Sequence, residues 1–310
     1  MDIAVVGIGG VGGYYGGMLA RHYAGNPAVR IIFIARGEHL EKIRENGLRV
    51  RSAAETFTAR PHLATDEPGE LGPFDLVLFC VKTYDLEESA ATLRENVTGR
   101  TVIITVLNGV DNAERLGRNF PQATVLNGCV YISSFIETPG LVRQASGSCK
   151  LIFGAEKGGR AGYKTVEKIF TDAGIDAEYS TDIRTAVWEK YIFVSPLASA
   201  TTFLKKTSGQ LLEDGLGKSY LSGLMREVEH VARAQGVRFP DNVCEVALER
   251  VASFAYGTKT SLQMDFEKAK KKTELDTFTG YIVRYARENG IPVPYHQEVY
   301  DSLLAEQERH

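Results

Sequence analysis

Ile3-Ala4-Val5-Val6-Gly7-Ile8-Gly9-Gly10-Val11-Gly12 is the stretch that decides the fold. Four apolar residues in a row, with no polar alternation, suit a strand buried on both faces of a parallel sheet. The run ends at a glycine, and Gly7 to Gly12 has the G-x-G-x-x-G spacing. That spacing carries physical meaning when it follows a strand and opens a helix. Gly7 permits the tight turn, Gly9 lets the backbone approach a pyrophosphate, and Gly12 allows the helix to pack closely on the strand. The N–H groups and dipole of a helix starting at Gly10 would then receive the phosphates. Gly7, Ile8, Gly9, Gly10, Val11 and Gly12 are thus the candidate dinucleotide loop.

Outward from this loop the apolar run recurs. Residues 30–35, 75–81 and 101–107 read as further buried strands, another strand begins at Thr124, and 48–59 reads as an irregular β-segment with outward charges. Between them, 10–23, 85–96 and 113–119 have helical character. Strand and helix in alternation imply a parallel sheet with crossover helices, a Rossmann-type α/β domain. The pattern changes after about Thr181. Helical periodicity then covers 185–204, 217–235, 242–255 and 273–289, punctuated by Gly236 with Pro240, by Gly257, and by Gly290 with Pro292 and Pro294. The expectation is a Rossmann-type domain over 1–182 and an all-α domain over 183–310, with a ligand cleft between them.

Composition narrows the function. A chain of 310 residues suits two domains, and 44% hydrophobic with 24% charged residues excludes a disordered or fibrous chain. The net charge is −3, from 36 basic and 39 acidic residues, so no sequence-wide positive field exists to hold nucleic acid. Any anion must be held by placed groups. Cys80, Cys129, Cys149 and Cys244 show no Cys-x-x-Cys and no Cys/His spacing for zinc, which points to free thiols, no metal site and a reducing compartment. No uncharged run approaches the ~20 apolar residues of a membrane span, and Met1-Asp2 lacks the basic start of a signal peptide. These features predict a cytoplasmic chain with neither nucleic-acid nor membrane partners.

Arg36 follows the second strand directly, where an acidic residue would bind the ribose 2′-hydroxyl of NAD. A guanidinium there fits the 2′-phosphate of NADP, which favours NADPH/NADP+ as the cofactor; Glu38, two residues on, opposes it. Lys82 and Asn108 stand at the C-terminal ends of two strands, where open α/β sheets bind ligands.

The loop with Arg36, the lysine of FCVK, the asparagine of LNG, Trp188-Glu189-Lys190 and the run SLQMDFEKAKKKTELD occur in this order along the chain, and Gly290-Ile291-Pro292-Val293-Pro294 follows. Together they resemble the 2-dehydropantoate 2-reductase (ketopantoate reductase) family. The resemblance implies a helical second domain like that of 6-phosphogluconate dehydrogenase and NADPH-dependent reduction of a 2-oxo acid in pantothenate biosynthesis. It also suggests a homodimer. By the same resemblance Lys190 is the catalytic lysine that protonates the developing alkoxide, and Glu274 is the active-site glutamate, near both cofactor and lysine. Ser261 would be the substrate-binding serine and Asn108 a contact to cofactor and substrate. Carbonyl reduction needs these chemistries, a proton donor and stabilisation of negative charge on oxygen. Local readings remain beside them: Lys190 on a solvated face, Ser261 as a helix cap, and Glu274 paired with Lys270 on a helix surface.

The chain departs from the family pattern at two positions. Asparagines are expected four and eight residues after the lysine, and Val194 and Ala198 stand there. Ser195 and Ser199 lie one residue further, turned by about 100° on a helix, so they do not replace them. The interval from Asp265 to Glu274 is also one residue longer than the family's. A reductase acting on another 2-oxo acid is therefore an alternative, as is an NADP(H)-binding regulator without turnover, although a regulator needs neither Lys190 nor Glu274.

Overall fold

Strands that are apolar on every residue need cover on both faces, and the sheet has it. The computed structural model describes residues 1–156 and 163–309. The chain divides into two units: Met1–Leu107 with Asp111–Ile183, and Asn108–Val110 with the chain from Arg184 onward.

In the first unit the chain runs β1 (Asp2–Val6), α1 (Gly10–His22), β2 (Arg30–Ile34), α2 (Gly37–Asn46), β3 (Leu48–Arg51), β4 (Thr56–Ala59), β5 (Leu63–Thr65), β6 (Leu76–Phe79), α3 (Leu86–Ala91), β7 (Val102–Thr105), α4 (Asn112–Asn119), β8 (Thr124–Val130), β9 (Ser133–Thr138), β10 (Leu141–Ser146), β11 (Leu151–Gly154), α5 (Lys164–Asp172) and β12 (Ala177–Tyr179). The large sheet has the order β12-β11-β8-β7-β6-β1-β2-β5. Its strands from β5 to β8 pair in parallel, and β11 joins β8 antiparallel. Counted along the chain, the parallel strands stand in the order 3-2-1-4-5-6 of a dinucleotide-binding sheet.

Alternate residues of each strand enter different cores. Ile3, Val5, Ile31, Phe33, Leu76 and Leu78 join one cluster, covered by Tyr15 and Leu19 of α1, Leu40 and Ile43 of α2, and Ile169 and Phe170 of α5. Ala4, Val6, Ile32, Ile34, Val77 and Phe79 join the other, under Leu86 and Ala90 of α3 and Leu116 of α4. Each large side chain so buried contributes roughly 1.5–3 kcal/mol, which is why no strand residue between Ile3 and Val6 is polar.

The segment 48–59 departs from the expectation of irregular β-structure. It is the hairpin β3–β4, and it forms a separate four-stranded sheet, β4-β3-β10-β9, with a second hairpin. Helix α2 has apolar residues only at Leu40 and Ile43 on its buried side, too sparse a pattern to stand out in the sequence. Helix α3 ends at Ala91, short of the expected Asn96, whose side chain turns back to bond the Pro68 and Leu71 carbonyls at 2.8 and 2.7 Å.

The second unit is helical: α6 (Ile183–Leu204, whose first residue belongs to the first unit), α7 (Ser208–Glu213), α8 (Gly215–Ala234), α9 (Val243–Ala252), α10 (Ser261–Glu267), α11 (Tyr281–Asn289) and α12 (Pro294–Gln307). The single helix expected over 273–289 is instead a π-turn, Asp276–Gly280, running into α11. A π-turn carries one extra residue and redirects its carbonyls away from the α-helical ladder. Helix α6 answers with hydroxyls at four-residue intervals. Tyr191 bonds the Thr277 and Phe278 carbonyls at 2.8 and 2.7 Å, Ser195 donates to the Phe278 carbonyl at 2.6 Å, and Ser199 pairs with the Thr279 hydroxyl at 2.8 Å. Ser195 and Ser199 are fully buried, so their task is to hold the π-turn. Trp188 is buried beside them, with ring centres 5.6 Å from Tyr191 and 6.2 Å from Tyr281. Among the described residues no helix is long and apolar enough to cross a membrane.

Candidate active site

In the first unit, β2, β1, β6 and β7 are parallel neighbours, so their C-terminal ends share one sheet edge. The loop after β1 lies where the strand order reverses, the position at which open α/β sheets bind ligands. Gly7 has φ 88°, a left-handed conformation that other residues adopt at a cost. A Cβ on Gly12 would collide with the Gly7 carbonyl oxygen, so loop and helix touch backbone to backbone. At Gly9 the situation is reversed: a Cβ there would meet nothing within 4 Å. Helix α1 begins with Gly9 as N-cap, no side chain capping its first N–H groups and no acidic residue in its first turn. Open space, uncapped donors and a positive dipole end fit the pyrophosphate of a dinucleotide.

Arg36 stands two residues past β2 as the N-cap of α2, with its side chain 72% exposed. Its Nη2 donates to Asp85 Oδ2 at 2.6 Å, and that carboxylate is only 11% exposed. Glu38 lies in the first turn of α2. Lys82 follows β6 as the N-cap of the 3-10 turn Thr83–Asp85. His39, in the first turn of α2, ties that helix to the turn between β9 and β10. Its Nδ1 accepts from the Gly140 N–H at 2.9 Å, and burial holds its imidazole below the usual range against the opposing effect of the Ile8 carbonyl. Neither Asp85 nor His39 belongs to a motif that stands out in the sequence. Asp85 offered one signal, an acidic residue three positions after Lys82.

The second unit brings Lys190 and Asn108 together. Lys190 Nζ donates to Asn108 Oδ1 at 2.9 Å, across 82 residues of sequence. Both side chains are half-buried, and the amide oxygen is an uncharged partner for the ammonium. Glu274 is 3% exposed and lies two residues before the π-turn, so it is no surface glutamate. Lys270, its candidate surface partner, pairs instead with Asp265 at 2.6 Å. Ser261 is the exposed first residue of α10, and the cap there is Thr260, whose Oγ1 accepts from the Gln263 N–H at 3.3 Å. Val194 is half-buried and Ala198 buried, so positions four and eight beyond Lys190 are apolar on α6.

Comparison with known proteins gives this geometry its context. The family "Ketopantoate reductase PanE/ApbA" matches residues 3–158, and its C-terminal counterpart matches residues 182–307. The chain belongs to the ketopantoate reductase family. A 2-dehydropantoate 2-reductase of Halobacterium salinarum is 32% identical over 295 residues, covering 95% of each chain. The uncharacterized oxidoreductase YkpB of Bacillus subtilis is 29% identical over 304 residues, covering 98% of each. The crystal structure of a PanE/ApbA family ketopantoate reductase from Ralstonia eutropha matches with a TM-score of 0.90 at 30% identity, covering 100% of this chain and 99% of that one. Ketopantoate reductase membership makes the chain an oxidoreductase, and its relatives support reduction of a 2-oxo acid.

Proposed function

We propose that this ketopantoate reductase family member reduces 2-dehydropantoate to pantoate with NADPH, the reductive step of pantothenate synthesis. The reduced nicotinamide would supply the hydride to the 2-oxo carbon. Gly7, Ile8, Gly9, Gly10, Val11 and Gly12 hold the pyrophosphate, Arg36 the 2′-phosphate, and Lys82, Asn108 and Glu274 further parts of the cofactor. Lys190 donates the proton that the reduced oxygen takes up, and its positive charge stabilises that oxygen as the alkoxide develops. Asn108 orients the ammonium and contacts the substrate, while Ser261 offers a hydroxyl to the substrate carboxylate.

The observation that carries this reading is the 2.9 Å bond from Lys190 to Asn108. It holds the ammonium at a fixed place beside Asn108, as donation of a proton to a reacting oxygen requires. The test is Lys190→Ala with NADPH and ketopantoate, followed by the absorbance of the reduced nicotinamide. Turnover should fall at least ~10²-fold while NADPH still binds. Near-wild-type turnover by the variant would refute the assignment.

Val194 and Ala198 favour a second reading, a 2-oxo acid with a more apolar body than ketopantoate. A buried polar group of the substrate without a partner costs roughly 1–3 kcal/mol, enough to redirect preference. A panel of 2-oxo acids decides between the two: strong preference for ketopantoate rejects the second reading.

A further inference from the structure

Arg36 does not stand alone at the end of β2. Asp85 reaches it from the turn after β6, 49 residues away, and is the buried member of the pair while Arg36 is the exposed one. The pair is therefore anchored at the carboxylate. Glu38 adds a second negative charge in the first turn of α2. Arg36 thus has two carboxylates near it in the described residues, Asp85 as its ion-pair partner and Glu38 two residues on in the chain.

We infer that Asp85 is a cofactor-selectivity residue, a carboxylate that weakens the hold of Arg36 on a 2′-phosphate and keeps NADH usable. The inference rests on the dinucleotide reading above. A 2′-phosphate has two routes to the guanidinium. It binds while Asp85 stays paired, and then a doubly charged phosphate shares one cation with a carboxylate. Alternatively it draws Arg36 away, and Asp85 is left as a buried charge without its cation. Both routes penalise NADPH, and neither penalises NADH. A ribose 2′-hydroxyl is instead a donor that a carboxylate accepts, the role acidic residues play at this strand end in NAD-binding sheets. The pair thus offers a cation to a phosphate and an acceptor to a hydroxyl.

The test is isothermal titration of NADPH and NADH, separately, into the full chain and into Asp85→Asn, Asp85→Ala and Arg36→Ala. Removing one carboxylate charge beside a phosphate should tighten NADPH binding by roughly tenfold at moderate salt. Asp85→Asn and Asp85→Ala should both show this gain, with NADH unchanged or weaker. Arg36→Ala should weaken NADPH at least ~10-fold and leave NADH within about twofold. Asp85→Asn is nearly isosteric and keeps an oxygen for Arg36, so a folding failure confined to Asp85→Ala leaves the comparison intact. Weaker NADPH binding by Asp85→Asn, or an unchanged ratio of the two affinities, overturns the role of Asp85 alone. Failure of the unmodified chain to bind either dinucleotide overturns the cofactor reading itself, and this inference with it.

Discussion

Replacing Ser195 with alanine removes a hydroxyl that donates to the Phe278 carbonyl at 2.6 Å in a fully buried setting. A hydrogen bond between neutral groups contributes about 1 kcal/mol net, and leaving a buried carbonyl short of a donor costs about 1–3 kcal/mol. Tyr191 also reaches the same carbonyl, at 2.7 Å, so the single variant leaves it one hydroxyl. The expected loss for Ser195→Ala is therefore about 1 kcal/mol, and about the same for Tyr191→Phe. The double variant takes both hydroxyls from Phe278 and the bond to Thr277, so the two effects should exceed their sum by about 0.5–1 kcal/mol. Urea titration followed by the fluorescence of Trp188 suits the measurement. It is the chain's one tryptophan, it packs against Tyr191 and Tyr281, and it reports the helical unit. A two-unit chain need not unfold in one step, so the midpoint and slope of the Trp188 transition are the quantities to compare. Additive losses, or no loss in Ser195→Ala, would show that the hydroxyl ladder does not hold the π-turn that follows Glu274.

Gly9→Ala and Gly12→Ala should separate binding from folding. The first adds a methyl in open space, so thermal stability holds while dinucleotide affinity falls at least ~10-fold; unchanged affinity would refute the phosphate cradle. The second drives a methyl into the Gly7 carbonyl and should also cost about 1–3 kcal/mol, read as a lowered melting temperature. Acid should weaken the fold before the carboxylates titrate. Burial lowers the pKa of both His39 and His296, the latter against the opposing effect of Glu227, whose Oε2 is 2.7 Å from its Nδ1. Their neutral forms belong to the folded state, so their contribution is complete above the unfolded value near 6.5 and is lost as pH falls through the lowered values. Urea midpoints should drop between pH 7.5 and 5.5, with a shallower drop in His296→Gln; a flat profile contradicts the burial argument.

The nucleotide end was legible because it is local. Strand, turn and helix lie within Asp2 to His22, and each glycine's constraint arises from atoms a few residues away. The departure at Val194 and Ala198 was legible too, because a helix fixes which residues share a face. The use made of Ser195 and Ser199 was not. Helical spacing showed that they turn away from positions 194 and 198, and only the π-turn more than 80 residues later shows what they turn toward. That turn replaced a plain helix because one residue more than an α-helical ladder holds is accommodated where outside hydroxyls can meet its carbonyls.

What the sequence by itself determined is the class of the fold and the place of the loop. Runs of β-branched residues, helical periods and glycines at fixed offsets act through neighbours in the chain, whose energies are the same wherever the chain goes. The tertiary structure alone decided the pairings that give the site its character: Arg36 with Asp85 across 49 residues, and Lys190 with Asn108 across 82. Sequence patterns do not encode such pairs, because the contact comes from burial of the strands and helices that carry them. Once those elements are packed, the polar groups at their ends are held together without any local signal of their own.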